Sequence, residues 1–191
     1  MSKKNRLPEI IIFAGPNGSG KTTITRMART IGVYINADDI KRSSLCSDLE
    51  AAVKAEELRE EMIEKGEDFT WNSAFYWLNL KLLKKAKEKG YFLRCIYVLT
   101  SDYKINIARV SMMESMGGHG VPEEKIKSRY YKALDLISEL VEICDIVHIY
   151  DNTNVPFRIF KKRKDIYFHW ENKYWSYSDI EKLTGISEYS N

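Results

Sequence analysis

The sequence lacks the features that mark secreted, zinc-binding or membrane proteins. Its 191 residues include only three cysteines, Cys46, Cys95 and Cys144, and none belongs to a C-x-x-C pair. Neither a disulfide framework nor a zinc site is therefore predicted. The basic start is followed by a short apolar run, which is too short for a signal peptide or a bilayer-spanning helix. We expect a reduced, cytoplasmic protein without a membrane segment.

The sequence also lacks a large charge excess, internal repeats and low-complexity segments. Thirty Lys and Arg against 27 Asp and Glu give a formal net charge of only +3. Overall charge therefore gives no reason to expect nucleic acid or a membrane as partner. Because 44% of the residues are hydrophobic and 30% are charged, the chain is expected to be globular. This length predicts one domain with a sizeable core.

The strongest motif is residues 15–22, GPNGSGKT, which fits the phosphate-loop pattern G-x-x-x-x-G-K-[ST]. The apolar residues 10–14 before it predict a buried parallel strand, and residues 21–30 after it favour a helix. Glycines allow the backbone N–H groups to surround phosphate oxygens. We therefore predict a nucleotide site formed by Gly15, Pro16, Asn17, Gly18, Ser19, Gly20, Lys21, Thr22 and Thr23.

Two side chains of this motif are assigned chemistry. Lys21 is expected to reach the β- and γ-phosphates of ATP, and the Thr22 hydroxyl is expected to bind Mg²⁺. The alternative is a glycine turn that contains a lysine and a threonine by chance. The flanking strand and helix argue against this alternative.

Polar side chains follow the second and third predicted strands, residues 33–35 and 68–73. Asp38 and Asp39 come after one strand, and Asn72 and Ser73 end the other. Because ligands bind beyond the carboxyl ends of parallel strands, these residues are predicted to share one rim. A carboxylate there could accept a proton from a substrate hydroxyl. Either aspartate could instead cap the next helix, and the spacing alone does not decide between the two.

Residues 102–130 predict a lid of helix, glycine-rich loop and helix. Ile105, Ala108 and Met112 recur at helical spacing on the first helix, which also carries Arg109. The loop contains His119, which lacks the companions needed for a metal site. The second helix is predicted from Pro122 to about residue 143 and carries Arg129. The two arginines could stabilise phosphate charge, or could simply be solvated or ion-paired.

The remaining strands predict the fold class. Residues 91–99 and 145–150 are expected to complete an α/β P-loop kinase fold, with a mostly parallel five-stranded sheet and helices on both faces. Asp151 and Asn152 follow the last of these strands. They could contact the nucleotide, or could form a turn, for which both residue types are suited.

The chain after residue 155 differs in character. Residues 157–160 and 166–170 predict a hairpin with a basic tip, followed by a possible strand at 171–175 and a helix at 178–184. Its aromatic residues could bind RNA, although packing of the hairpin on the body is favoured. We predict a kinase domain over residues 1–155 and an extension, residues 156–191, packed on the same domain.

Several of these segments, in order, resemble the zeta toxin family of bacterial kinases. The resemblance spans residues 10 to about 153, and its lid motif is more specific than the phosphate loop. The matching segments are Gly15–Thr23, Asn36–Ile40, Arg109–Val110, Gly117–Pro122, Arg129–Tyr130 and Tyr150–Thr153.

The resemblance implies an ATP- and Mg²⁺-dependent kinase that phosphorylates a hydroxyl of a small molecule, UDP-N-acetylglucosamine in the family's well-studied members, and is blocked by an antitoxin. It implies that Asp38 is the base and that Arg109 and Arg129 face the phosphates. Two segments depart from the family pattern: Asn72-Ser73 stands where a Glu-Thr pair is usual, and Met113 where many relatives have a second arginine. The residues expected at the substrate are Asp39, Asn72, Ser73 and His119, and those expected near the nucleotide are Asp151 and Asn152.

Two other functions are compatible with the same residues. The basic hairpin tip and a lysine-rich helix at residues 75–89 would suit a kinase that acts on polynucleotide or RNA ends. A nucleotide-binding module that signals to a partner protein without catalysis would also need the phosphate loop. Asp38 and the lid arginines favour the small-molecule kinase over both.

Overall fold

The computed structural model describes residues 6–72, 79–117 and 120–188. Seven strands form one sheet in the order β2-β3-β1-β4-β5-β6-β7. In chain order the strands are β1 (Glu9–Ala14), β2 (Val33–Asn36), β3 (Phe69–Asn72), β4 (Phe92–Leu99), β5 (Ile146–Asp151), β6 (Phe157–Arg163) and β7 (Ile166–His169).

The sheet is parallel up to β5 and antiparallel beyond it. The predicted mostly parallel α/β sheet is confirmed, but the predicted number of five strands is wrong. The hairpin of β6 and β7 continues the same sheet, because β6 pairs with β5 along its whole length. Its residue Phe160 is fully buried in the main hydrophobic core.

Helices connect the strands and lie on both faces of the sheet. They are α1 (Lys21–Met27), α2 (Ala37–Ser44), α3 (Asp48–Lys65), α4 (Leu80–Glu88), α5 (Tyr103–Ser115), α6 (Glu123–Asp135), α7 (Ile137–Ile143) and α8 (Tyr177–Thr184). Within the described ranges, no helix has the length and apolar character needed to cross a membrane.

The two faces of the sheet bury different amounts of apolar surface. The large-core face packs against α3, α4, α7 and α8, with Trp71, Tyr97 and Phe160 among its largest fully buried side chains. The α1 face carries a smaller cluster in which Phe13 and Val98 contact Ile24 of α1. Successive residues of a strand point to opposite faces. The exception is the register shift in β6, where the adjacent Ile159 and Phe160 both lie in the large core.

Local sequence explains most helix ends and two differences from prediction. Ser47 and Glu50 form a capping box that starts α3, and Gly66 ends it in the left-handed conformation. The helix predicted from residue 122 to about 143 is two helices, which meet at Leu136. The predicted strand at 171–175 is a turn, because the Asn172 side chain accepts hydrogen bonds from two following backbone N–H groups.

The strand order favours a ligand site at the carboxyl ends of the parallel strands. The chain places β2 and β3 on one side of β1 and β4 to β7 on the other. The phosphate loop leaves β1 at this switch point, where open α/β sheets bind ligands. The strand ends are in register there, since Asn72 of β3 is paired with both Asn36 of β2 and Phe13 of β1.

The buried position of Phe160 predicts that the hairpin stabilises the whole domain. Phe160→Ala should lower the free energy of unfolding by about 3–5 kcal/mol, because it leaves a large cavity in the core. Urea unfolding followed by circular dichroism measures this. The control is Phe157→Ala on the same strand, where the ring is 43% exposed and the change should stay within about 0.5 kcal/mol. Equal effects of the two substitutions would contradict the prediction.

Candidate active site

The phosphate loop is held in contacts that only glycine permits. Gly15, Gly18 and Gly20 all have positive φ angles, of 143°, 75° and 88°. A Cβ at Gly15 would lie 2.0 Å from the Val98 carbonyl oxygen, and one at Gly20 would lie 2.1 Å from the side-chain amide nitrogen of Asn152. The loop therefore keeps its shape only while these residues are glycine.

Lys21 begins α1 and turns back over the loop. Its ammonium group donates hydrogen bonds to the carbonyl oxygens of Gly15 (2.8 Å) and Pro16 (3.0 Å). Burial lowers the pKa of Lys21 to about 8, and the negative charge of Asp38 opposes this lowering. The ammonium thus lies at the loop, within electrostatic reach of Asp38.

The far side of the loop is clamped by α5. The Asn106 side chain donates to the Asn17 carbonyl oxygen (2.6 Å) and contacts the Thr100 hydroxyl. Arg109, one turn later, donates to the carbonyl oxygens of Asn152 (2.8 Å) and Thr153 (3.0 Å) and more weakly to that of Gly18 (3.5 Å). Arg109 therefore lies against the phosphate loop, where its guanidinium group joins the loop to the segment after β5.

Asp151 and Asn152 are buried and act as connectors. The Asn152 side chain donates to the Ser19 carbonyl oxygen at 2.8 Å. The Asp151 carboxylate accepts from the Thr153 backbone N–H (3.0 Å), its hydroxyl (2.5 Å) and the Asn172 side chain (2.8 Å). These residues lie next to the loop, as the nucleotide prediction requires, and they also fix the C-terminal extension to it.

Asp38 and Asp39 lie in the first turn of α2. The cap of this helix is Asn36, whose side chain accepts from the Asp38 backbone N–H at 3.1 Å. The Asp38 carboxylate is therefore not the cap, and it is exposed to solvent. The Asp39 carboxylate contacts residues of its own helix and cap, because it accepts a hydrogen bond from the Asn36 side chain (3.2 Å) and forms an ion pair with Arg42.

Asn72 contacts Tyr34, a residue that the sequence analysis missed and that lies within electrostatic reach of both aspartates. The Asn72 amide donates to the Tyr34 hydroxyl at 2.5 Å. Burial raises the pKa of Tyr34, and the charges of Asp39 and Asp38 raise it further. The one available signal was alternation along β2, which puts Tyr34 on the same face of the sheet as Asn36.

A cavity of about 610 Å³ lies on the other side of the phosphate loop, between α5, the segment after β5 and the C-terminal extension. Ile105, Ala108 and Met112 line it, so this apolar stripe faces a cavity, whereas the buried residues of α5 are Asn106 and Val110. The polar side of the cavity includes the predicted Arg109 and also Tyr174, which the sequence analysis did not place at the site. It consists of Ser101, Asp102, Arg109, Thr153, Asn154 and Tyr174.

The remaining predicted site residues have fewer described contacts with the phosphate loop. Thr22 and Thr23 are exposed in the first turn of α1, beside Lys21. Arg129 is partly buried on α6, directly before Tyr130, whose hydroxyl donates to the Thr100 carbonyl oxygen at 2.5 Å. Ser73 and His119 lie outside the described residues.

The residues fit a phosphate group with a magnesium ion. Ser19 is fully buried, and in the described part of the chain its hydroxyl has no hydrogen-bond partner. A loop lined by this hydroxyl and the Lys21 ammonium suits an anion. The described residues contain no cluster of three or more His, Cys, Asp and Glu that could hold a metal. The Thr22 hydroxyl would be available to Mg²⁺, an ion that takes much of its coordination from phosphates and water.

Comparison with known proteins supports the fold. No family model matches the chain. An uncharacterized protein of Haemophilus influenzae is 28% identical over 127 residues, which cover 63% of this chain and 91% of that protein. A solved chain from the PezAT chromosomal toxin–antitoxin system of Streptococcus pneumoniae is similar with a TM-score of 0.62 and 19% identity, over 83% of this chain and 74% of that one.

A chain from an RNA repair complex is similar with a TM-score of 0.51 and 16% identity, over 71% of this chain and 48% of that one. At these identities the likeness establishes a shared fold. The mostly parallel α/β fold expected from the sequence is therefore confirmed, and the chain from the PezAT system shares it.

The burial of Lys21 predicts an unusual titration. Its amine should react with an acylating reagent with a midpoint at about pH 8, because only the deprotonated form is nucleophilic, whereas an exposed lysine titrates near pH 10.4. Mass spectrometry of peptides labelled over a pH series measures the titration midpoints of Lys21 and of the exposed lysines in the same sample. A midpoint for Lys21 equal to that of the exposed lysines on α4 would contradict the buried position.

Proposed function

We propose that this protein is an ATP- and Mg²⁺-dependent phosphotransferase that moves the γ-phosphoryl group of ATP to a hydroxyl of a small molecule. The observation that carries the proposal is the geometry of the phosphate loop, which combines positive φ angles at three glycines with a Lys21 ammonium held at the carbonyl oxygens of Gly15 and Pro16. A cation for the transferred group lies within electrostatic reach of a carboxylate that does not cap its helix. A phosphoryl transfer enzyme needs these two groups close together.

The phosphate loop would bind the donor. The backbone N–H groups of the loop would surround the β- and γ-phosphates, and Lys21 would exchange its carbonyl contacts for phosphate oxygens. Thr22 would hold Mg²⁺, which when bound neutralises charge on the phosphates. Arg109 already bridges Gly18 and the segment after β5, so it would keep the loop in place as charge shifts during transfer.

The rim formed by Asp38, Asn72 and Tyr34 would receive the acceptor. Asp38 would take the proton from the attacking hydroxyl, since a carboxylate at this rim is exposed and lies near Lys21. Asn72 would hydrogen-bond a second acceptor group, with both donor and acceptor character. The zeta toxin resemblance makes UDP-N-acetylglucosamine the first acceptor to test, although an amide at residue 72 replaces the usual carboxylate.

The cavity beside Arg109 would hold the base of the nucleotide. It adjoins the phosphate loop through Arg109, and its volume of about 610 Å³ lies within the range of ligand pockets. Ile105, Ala108 and Met112 offer an apolar wall for a flat ring. Tyr174 and Asn154, hydrogen-bonded to each other at 2.8 Å, offer polar groups at its edge.

The biological setting that we propose follows the structural relative. Because that protein belongs to a toxin–antitoxin system, we propose that this chain acts on a cytoplasmic small molecule and that a protein antitoxin inhibits it. Regulation of this kind would require a partner that covers the phosphate loop or the acceptor rim.

The first prediction from this proposal concerns catalysis. Asp38→Asn should lower kcat by about 10²–10⁴-fold, because the amide cannot accept the hydroxyl proton. Lys21→Ala should lower it by about 10²–10³-fold by removing a transition-state contact. Steady-state ADP formation with the acceptor measures both. Asp48→Asn, an exposed change at the start of α3, is the matched control. Full turnover in Asp38→Asn would exclude its role as base.

The second prediction concerns the base cavity. Tyr174→Ala should weaken ATP binding about tenfold, because the ring forms part of the cavity that surrounds the base. The binding of inorganic tripolyphosphate should not change, since it lacks a base. Calorimetric titration compares the two ligands, with Tyr177→Ala in the same extension as the control. An equal loss of affinity for both ligands would indicate that Tyr174 supports the phosphate loop instead.

A further inference from the structure

One part of the sheet presents a surface that the proposed reaction does not use. On the α1 face, the hydrophobic cluster ends at β4 with Val98 and the adjoining Ile96. Beyond β4, the side chains on this face of β5, β6 and β7 are partly or fully exposed. We call this surface the aromatic–basic face, and it consists of His148, Tyr150, Arg158, Lys161, Phe168 and Trp170.

Strand alternation and register place these residues on one side. Val147 and Ile149 lie in the large core, so His148 and Tyr150 point to the opposite face. Arg158 is paired with Tyr150 in the register between β5 and β6, and Lys161 is paired with His148. Phe168 of β7 is in turn paired with Lys161, so the rows continue to the edge of the sheet.

The cations and rings of this face are arranged in pairs. The Arg158 guanidinium lies 4.8 Å from the centre of the Trp170 ring, and the Lys161 ammonium lies 5.4 Å from that of Phe168. The rings of Phe168 and Trp170 are nearly parallel, with an interplanar angle of 16°. Contacts with rings hold the cations here, and the buried Arg158 Nε has no hydrogen-bond partner in the described ranges.

The local charge is positive although the whole chain is nearly neutral. Burial lowers the pKa of His148 to about 4. Three nearby cations lower it further: Arg158, Lys161 and Arg94. Arg94 is paired with Glu9 at 2.9 Å, so Arg158 and Lys161, with Arg163 exposed at the end of β6, carry most of the positive field.

We propose that the aromatic–basic face binds single-stranded nucleic acid. A nucleic acid strand alternates phosphate anions with flat bases, and this face alternates cations with partly exposed rings. The face spans three neighbouring strands. In RNA-recognition domains, aromatic side chains on a four-stranded sheet stack two or three bases. An acidic protein or an anionic lipid surface would match the charge but would not need the rings.

The proposal is separate from the acceptor of the phosphoryl group. The face lies on the β4 side of β1, whereas Asp38 follows β2 on the other side. Tyr150 of this face directly precedes Asp151 and Asn152, the residues expected near the nucleotide. A bound strand would therefore lie beside the nucleotide site without entering the acceptor rim.

The test is fluorescence anisotropy with short labelled oligouridine and oligothymidine, without ATP. The wild-type protein should bind one or both oligonucleotides. The logarithm of the association constant should fall linearly with the logarithm of the salt concentration. Phe168→Leu and Trp170→Leu should each weaken binding about tenfold, because leucine keeps apolar bulk but cannot stack. Lys161→Glu should weaken binding and reduce the salt dependence.

The controls decide where and how the strand binds. Lys81→Glu makes the same charge change on exposed α4, and Tyr131→Leu removes an exposed ring from α6; neither should alter binding. Loss of binding in Lys81→Glu but not in Lys161→Glu would overturn the proposal, as would the absence of binding at low salt. Unchanged binding in both leucine variants, or equal competition by polyglutamate, would also overturn it, because either result would show that only charge matters.

Discussion

Close contact between the phosphate loop and its neighbours is the constraint on which the rest of the site depends. Three glycines with positive φ angles let the loop pass within contact distance of the Val98 backbone, of Asn106 and of Asn152. Any side chain at these positions would push the loop away from the sheet. The position of Lys21, and with it the distance to Asp38, follows from this packing.

The same contacts connect elements that are far apart in the sequence. Asn106 contacts Asn17 of the loop although 89 positions separate them in the sequence. Asn152 contacts Ser19 across a separation of 133 positions. Asp151 then joins the loop region to Asn172 of the C-terminal extension. The loop is therefore supported by α5 and by the segment after β5, and that segment is in turn held by the C-terminal extension.

The sequence predicted the fold class and much of the site because both depend on local patterns. The apolar strand before the glycine loop, and the aspartates directly after β2, are visible without tertiary information. The stripe of Ile105, Ala108 and Met112 shows the limit of this reasoning. Helical spacing shows that these residues share a face, but not that the face lines a cavity while Asn106 is buried.

Other features depend on partners that no local pattern specifies. The hairpin was recognised, yet its pairing with β5 is a long-range contact, so the predicted five-stranded sheet was too small. Its aromatic residues divide between two faces: Phe160 fills the core, whereas Phe168 and Trp170 remain beside cations. The two interpretations of the hairpin, packing on the body and binding of RNA, therefore concern different residues.

The most direct test of the central claim is phosphorus NMR of the purified protein with Mg-ATP and UDP-N-acetylglucosamine, beside the Asp38→Asn variant. The account predicts a new phosphomonoester signal together with ADP in the wild-type sample, and no such signal in the variant. ADP without a sugar phosphate would move the search to other hydroxyl acceptors. No turnover of ATP with any hydroxyl acceptor would contradict the account and favour a nucleotide-binding module.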